Sequence, residues 1–230
     1  MDSVYVLQNG KELNKREFLG YVEKKVRKTI RVYRLITKKD KLLVVCYSNS
    51  SLVLLYILKK IFRKTPVEAL FINLTQSFDT NEKIIKKFCS KLDIKLHKII
   101  SKSLIENCDK CKLLRKKIVN KKAEELKSKI VSDECLDNIA ELIIECFNNK
   151  IENLIKLKPK ADSVIRPLYF CSKEEIELYL KLTKIPKLNK CPYKKEKIEL
   201  ELNKLEKKYK GIKNGLVNSI LKMLPVLDKF

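Results

Sequence analysis

The sequence predicts an α/β fold, a parallel sheet with helices on both faces, followed by a helical extension toward the C-terminus. Three observations carry this. Residues 42–45, Leu42-Leu43-Val44-Val45, form an almost unbroken apolar run that suits a strand buried on both faces. A polar turn, Tyr47-Ser48-Asn49-Ser50, follows, and Leu52, Leu55, Tyr56 and Leu58 then recur at helical spacing. Further along, apolar runs alternate with amphipathic stretches at the period of βαβ crossovers.

Taken in order, a short opening segment leads to Asn14, with Glu17 three positions later, the capping-box pattern that satisfies free amides at a helix start. Phe18, Val22, Val26 and Ile30 carry that helix to about Leu35, while Lys24, Lys25, Arg27, Lys28, Arg31 and Arg34 cover much of its other surface. Residues 67–74 read as a second strand. Asp79-Thr80-Asn81-Glu82 offers another capping box, opening a helix through Ile84, Ile85, Phe88 and Leu92, and residues 94–100 read as a third strand. His97 falls inside that alternation, so it reads as a strand side chain and not as a metal ligand or catalytic base.

Cys108-Asp109-Lys110-Cys111 opens a long helix with Leu113, Leu114, Ile118, Val119, Ala123 and Leu126 as its expected core face. A short strand at 129–131, a helix around 139–147 and a polar, basic connection over 148–163 come next. Residues 164–168 return to the body, and Ser172-Lys173-Glu174-Glu175 caps a helix continuing to about Leu182. The tail holds Cys191-Pro192-Tyr193, a lysine- and glutamate-rich helix to Tyr209, Gly211 as a stop, and a last amphipathic helix through Ile220 and Leu224. This divides the chain into a basic helical segment (1–35), an α/β body (36–170) and a helical extension (171–230), with no internal repeat.

Lys and Arg number 52 against 28 Asp and Glu, and the resulting +24 exceeds what solubility requires. The excess implies an anionic partner, with RNA or DNA ahead of a membrane surface. A lysine-rich proteome would produce a similar bias, so the charge counts only together with a site. A hydrophobic fraction of 45% across 230 residues argues for a folded chain. No apolar run reaches membrane-spanning length and no secretory pattern follows Met1, so the expectation is a cytoplasmic protein without a membrane partner.

The strand, turn and helix over residues 41–60 are where nucleotide-binding α/β proteins hold phosphate, on backbone amides at the helix start. Such a loop normally needs glycine to approach the anion without a Cβ in the way. Here the glycines are Gly10, Gly20, Gly211 and Gly215, and Tyr47 stands where the smallest residue belongs. The turn also lacks a lysine to meet phosphate and an aspartate to hold magnesium. The expectation is an inherited architecture with weak or absent nucleotide binding.

Of eight cysteines, Cys46, Cys89, Cys135, Cys146 and Cys171 sit among apolar neighbours and read as small core residues. Cys108, Cys111 and Cys191 lie beside charge, turns or proline. Two cysteines two residues apart at a helix start bring both sulfurs to one point, where the dipole favours thiolate. The residues alone leave three readings open: half a zinc site, two ligands of an iron–sulfur cluster, or a reduced pair without metal. Three thiolates would leave one iron of a cubane open to exogenous sulfur, or would hold a three-iron cluster.

These residues carry a resemblance to the archaeal and eukaryotic cytoplasmic transfer RNA 2-thiolation family of the PP-loop ATPase superfamily. It runs from residues 22–30 through Asp40, Val44-Val45 and residues 51–55. It resumes at Cys108-Asp109-Lys110-Cys111 with Arg115, Asn120 and Ala123, and then at Arg166-Pro167-Leu168 with Glu174-Glu175. Cys191-Pro192-Tyr193, Asn203, Leu205-Glu206 and Gly211-Ile212-Lys213-Asn214 complete it. The resemblance implies a Rossmann-like, PP-loop (HUP-type) sheet. Active relatives bind ATP at a Ser-Gly-Gly-Lys-Asp-Ser loop, adenylate the target base and replace the activated oxygen with sulfur.

That loop corresponds to Cys46-Tyr47-Ser48-Asn49-Ser50-Ser51, where only the last serine agrees. A second nucleotide-site element, Gly-His-Asn-Leu-Asp-Asp in relatives, corresponds to residues 132–137, retaining Asp137 and presenting Ser132 and Asp133 in place of its first two residues. The cysteine-rich zinc ribbons of many relatives are absent. The three cluster positions are kept as Cys108, Cys111 and Cys191, implying a 4Fe-4S or 3Fe-4S cluster, while the altered loops argue against ATP and Mg2+. The pattern is most like the non-catalytic partner subunit. It implies as partners tRNA, an active paralogue or a second copy, and a ubiquitin-like sulfur carrier, with Lys24, Lys25, Arg27, Lys28, Arg31, Arg115 and Arg166 as RNA contacts. Two alternatives stand beside it: an active ATP-dependent thiolase with an atypical loop, and a cysteine- or cluster-based sulfur carrier.

Overall fold

A computed structural model describes residues 3–74, 79–100, 108–148, 151–189 and 197–227. The chain opens on a small antiparallel hairpin, β1 (Tyr5–Val6) with β2 (Glu12–Leu13), turned at Gly10, whose φ of +81° favours glycine. Sequence reading left this segment unassigned, because two-residue strands carry no periodicity. Helix α1 (Lys15–Val32) then starts on the Asn14–Glu17 capping box, and both reciprocal bonds are formed.

The main sheet has the order β5-β4-β3-β6-β8-β7. Its parallel strands are β3 (Leu42–Val45), β4 (Val67–Asn73), β5 (Leu96–Ile100), β6 (Lys129–Val131) and β8 (Val164–Ile165), and β7 (Lys160–Ala161) adds an antiparallel edge. Strand β3 lies at the centre, paired with β4 on one side and β6 on the other. Successive strand residues point to opposite faces. Leu42 and Val44 accordingly join the core shared with α1, α2 (Asn49–Ile61), α3 (Asp79–Lys91) and α6 (Lys173–Thr183), while Leu43 and Val45 pack on the side of α4 (Cys108–Leu126).

A second cluster gathers α5 (Leu136–Asn148), α7 (Lys197–Lys208), α8 (Ile212–Leu227) and Tyr169. Lys213, 6% exposed, reaches from α8 to Asp137 at the start of α5 and to Asn203 on α7. Between α7 and α8 the Glu206 carboxylate accepts the amides of Gly211 and Lys213, closing the turn that the +89° φ of Gly211 permits.

Some expectations differ from the structure. Residues 148–163 are not merely a connection: within them a 3-10 helix, Ile151–Leu157, buries Leu154 and Leu157 and leads into β7. Leu113 is exposed, so the inward face of α4 runs through Val119 and Ala123, with Leu114, Ile118 and Leu126 partly buried. Glu82 bonds Lys98, and His97 bonds Glu68 across β4 and β5 at 2.7 Å, which accounts for the histidine as a strand side chain. The five cysteines expected in the core, Cys46, Cys89, Cys135, Cys146 and Cys171, are buried.

At the N-terminal ends of β3 and β6, Lys129 Nζ donates to Asp40 at 2.7 Å and to the Leu35 carbonyl at 3.2 Å. Burial alone would raise the Asp40 carboxyl, but the bonds from Lys129 and the Thr37 amide prevail and hold it below its ordinary value. Stability from the ionised group is therefore complete above the unfolded carboxylate pKa of about 4 and is lost as pH falls through the lower folded value. Asp40→Asn should flatten the acid limb of unfolding followed by circular dichroism, and an unchanged limb would contradict this assignment.

Candidate functional site

In a sheet whose order steps outward from β3 in both directions, the crevice between the C-terminal ends of β3 and β6 is the switch point where open α/β proteins bind ligands. The turn at Tyr47 leaves β3 there, and Ser132 to Cys135 leave β6 beside it. Topology thus brings together the two nucleotide-site elements identified from sequence.

Within that crevice the loop bonds to its own chain. Ser48 caps α2: its Oγ accepts from Ser51 N at 3.1 Å and donates to the Asp133 carboxylate. Ser51, fully buried, accepts the amides of Tyr47 and Ser48 on its Oγ, both at 3.2 Å, and donates back to the Ser48 carbonyl at 2.6 Å. Asn49 donates to Glu177 on α6 at 3.1 Å and accepts from Leu188 N at 2.9 Å, clamping α2 to the segment after α6. Ser50 is half-buried in the first turn, and Cys46 is a buried thiol whose pKa burial pushes well up.

Tyr47 is 39% exposed at the mouth of this turn. The Asp133 charge and burial push its phenol well above its ordinary value, so it stays protonated. Asp133 itself is buried. Desolvation raises its carboxyl despite the stabilising bond from Ser48. Over the Tyr47 ring, 4.6 Å from its centre, lies the guanidinium of Arg115, whose Nη2 also points to Cys111 Sγ at 3.5 Å. Arg115 Nε is buried without a partner among the described residues. One side chain therefore spans the altered loop and a candidate cluster cysteine.

The remaining residues distribute unevenly. Cys108 begins α4 and Cys111, a half-buried free thiol, lies three residues on, so both belong to its first turn. Cys191 lies outside the described residues. No group of three metal-ligating side chains occurs among the described residues. Leu188 and Asn189, shortly before Cys191 in sequence, are pinned by Asn49 and by Asn81, which exchanges bonds of 3.0 and 2.8 Å with Asn189.

Asp137 is committed to Lys213 and the Lys173 amide, and Ser132 accepts from Glu134 N. Of the expected RNA contacts, Lys24, Arg27, Lys28 and Arg31 are exposed on α1. Lys25 instead pairs with buried Glu175 at 2.7 Å. Arg166 is 7% exposed and bonds Glu134 and the Lys158 carbonyl. Sequence reading missed the roles of Asn49, Asn81 and Glu177; only the Cys111 to Arg115 spacing of four, which places both on one helical face, was available as a signal.

No protein-family model matches the chain. Over 91% of its length it is 29% identical to the tRNA-5-methyluridine(54) 2-sulfurtransferase of Pyrococcus horikoshii, covering 76% of that protein. It is 28% identical over 79% of its length to the tRNA-cytidine(32) 2-sulfurtransferase of Psychromonas ingrahamii, of which it covers 65%. Its relatives thus include tRNA sulfurtransferases. Among solved structures, the U34-tRNA thiolase NcsA from Methanococcus maripaludis with its 4Fe-4S cluster aligns at a TM-score of 0.85 and 21% identity, over 97% of this chain and 84% of that one. The NH3-dependent NAD synthetase of Campylobacter jejuni aligns at 0.53 and 14% identity, over 93% and 94% respectively. The α/β fold with its mostly parallel sheet is therefore shared with these two structures.

The Ser48 hydroxyl donates to Asp133 and caps α2. Ser48→Ala should cost about 1 kcal/mol of stability and move the Asp133 titration further upward. Chemical denaturation and carboxyl-carbon NMR read the two effects, and an unmoved Asp133 would contradict the contact.

Proposed function

We propose that this protein acts in tRNA 2-thiolation as a subunit that does not itself adenylate RNA. In this reading it supports an active sulfurtransferase in the cytoplasm, offers a basic surface to tRNA, and carries Cys108, Cys111 and Cys191 as a sulfur- or cluster-handling set. Sequence relatives across nine-tenths of the chain support the tRNA-directed part. When a 4Fe-4S cluster is bound, these thiolates would hold it and the cluster would supply an open iron position for exogenous sulfur.

The observation that carries the non-adenylating part is the state of the loop after β3. An anion-binding turn offers free amides and a nearby cation. Here the Tyr47 and Ser48 amides are spent on Ser51, Asn49 is clamped between Glu177 and Leu188, and the buried carboxylate of Asp133 faces the same turn. A phosphate entering this space would displace internal bonds and meet negative charge. The Arg115 cation that could oppose it lies on the Tyr47 ring.

Anaerobic reconstitution with tRNA, ATP and sulfide tests the proposal, comparing this protein alone, an active homologous thiolase alone, and the two together. Thiolation should occur mainly in the combined sample and be absent with this protein alone. Turnover by the isolated chain would establish an active thiolase with an atypical loop. No effect on the homologous enzyme, together with no tRNA binding, would remove the tRNA reading altogether.

A further inference from the structure

A cleft of about 430 Å³ lies at the opposite end of the sheet from the nucleotide loop, where β3 and β6 begin. Lys39 and Lys41 from the approach to β3, Lys127 after α4, and Lys129 at the start of β6 bring four cations to it. Lys129 is held by Asp40. Lys39, Lys41 and Lys127 are exposed and form no ion pair with any described residue. Three unneutralised ammonium groups around one concavity repel each other, and a bound polyanion relieves that repulsion.

Two further features identify the polyanion. First, the cleft continues along the chain into an exposed basic run, with Arg31 at the end of α1 and then Arg34, Lys38, Lys39 and Lys41, which suits a linear array of charges better than one small ion. Second, the cleft also contains the Asp40 and Glu124 carboxylates, with Asn120 beside them. Carboxylates oppose a free phosphate dianion, but they can accept from a ribose 2′-hydroxyl while neighbouring lysines meet the phosphodiester. We infer that this cleft is an RNA-backbone site that grips ribose and phosphate at the end of the sheet remote from the crevice of Tyr47 and Asp133. The inference rests on the tRNA-directed reading above and adds the place where the RNA is held. An RNA engaging both ends would have to pass around the sheet, so the cleft would anchor the molecule and leave its target nucleotide to the thiolation site.

The test is equilibrium binding of unmodified tRNA, by fluorescence anisotropy over a salt series, to the full-length protein and two variants. One carries Lys39→Gln, Lys41→Gln and Lys127→Gln. The control carries Lys204→Gln, Lys207→Gln and Lys210→Gln, exposed residues of α7 and its end with the same loss of charge. Thermal unfolding verifies that both fold. The cleft variant should bind roughly ten-fold or more weakly and show a log–log salt slope shallower by about 2–3. The control should change far less.

Equal losses in both variants would show a net-charge effect and overturn the cleft. A DNA of matching sequence should be less affected by the cleft substitutions than RNA, and equal sensitivity would overturn the RNA assignment. Inorganic phosphate that competes beyond its ionic strength would mark a small-anion pocket and also overturn it. Failure of the unaltered protein to bind tRNA would defeat the parent reading, whereas normal tRNA binding by the cleft variant would defeat this inference alone.

Discussion

Strand β3 has no exposed face, and the arrangement of both ends of the molecule follows from that constraint. Leu42 and Val44 are buried against α1, α2 and α6, and Leu43 and Val45 are buried on the α4 side. A one-residue slip would exchange the two sets and disrupt both packing layers at once. With register fixed, pairing to β4 and β6 sets the switch point at one end and the Lys41 and Lys129 pair of neighbours at the other. The same short apolar run therefore positions the crevice and the cleft.

At the crevice, the physical problem is a helix start with several amides that lack an intrahelical partner. This chain meets that need internally. Ser48 and Ser51 exchange bonds in a capping box, Ser51 also takes the Tyr47 amide, and Ser48 bonds buried Asp133. The Tyr47 ring in that turn offers its face to Arg115. Arg115 in turn approaches Cys111, so the loop and the first turn of α4 share one cation. Arg115 thus ties the first turn of α4 to the turn after β3 through a single side chain.

How much of this the sequence disclosed depends on the range of the interaction. The β3–α2 unit was legible because four apolar residues and a helical repeat are local signals, and the capping residues Asn14 and Ser172 act within three positions. The hairpin at Tyr5 and the strand at Lys160 are only two residues long, too short for any periodicity to register. The 3-10 helix at 151–157 was obscured by its lysine, asparagine and glutamate, although Leu154 and Leu157 carry its buried side. Long-range polar pairs were invisible. Asn49 with Glu177 spans 128 positions, and Asn81 with Asn189 spans 108. The charge of Arg166 is visible in sequence, whereas its acceptor Glu134 is identified only by folding β6 next to β8.

The central claim is that the turn after β3 fills itself with its own hydrogen bonds and no longer holds a nucleotide. Calorimetric titration of the protein with Mg2+ and ATP measures this without any partner or RNA. The account predicts no saturable heat through millimolar ATP. Saturable binding in the micromolar range, lost on Asn49→Ala, would contradict it and show that the serine- and asparagine-bearing loop opens to receive phosphate.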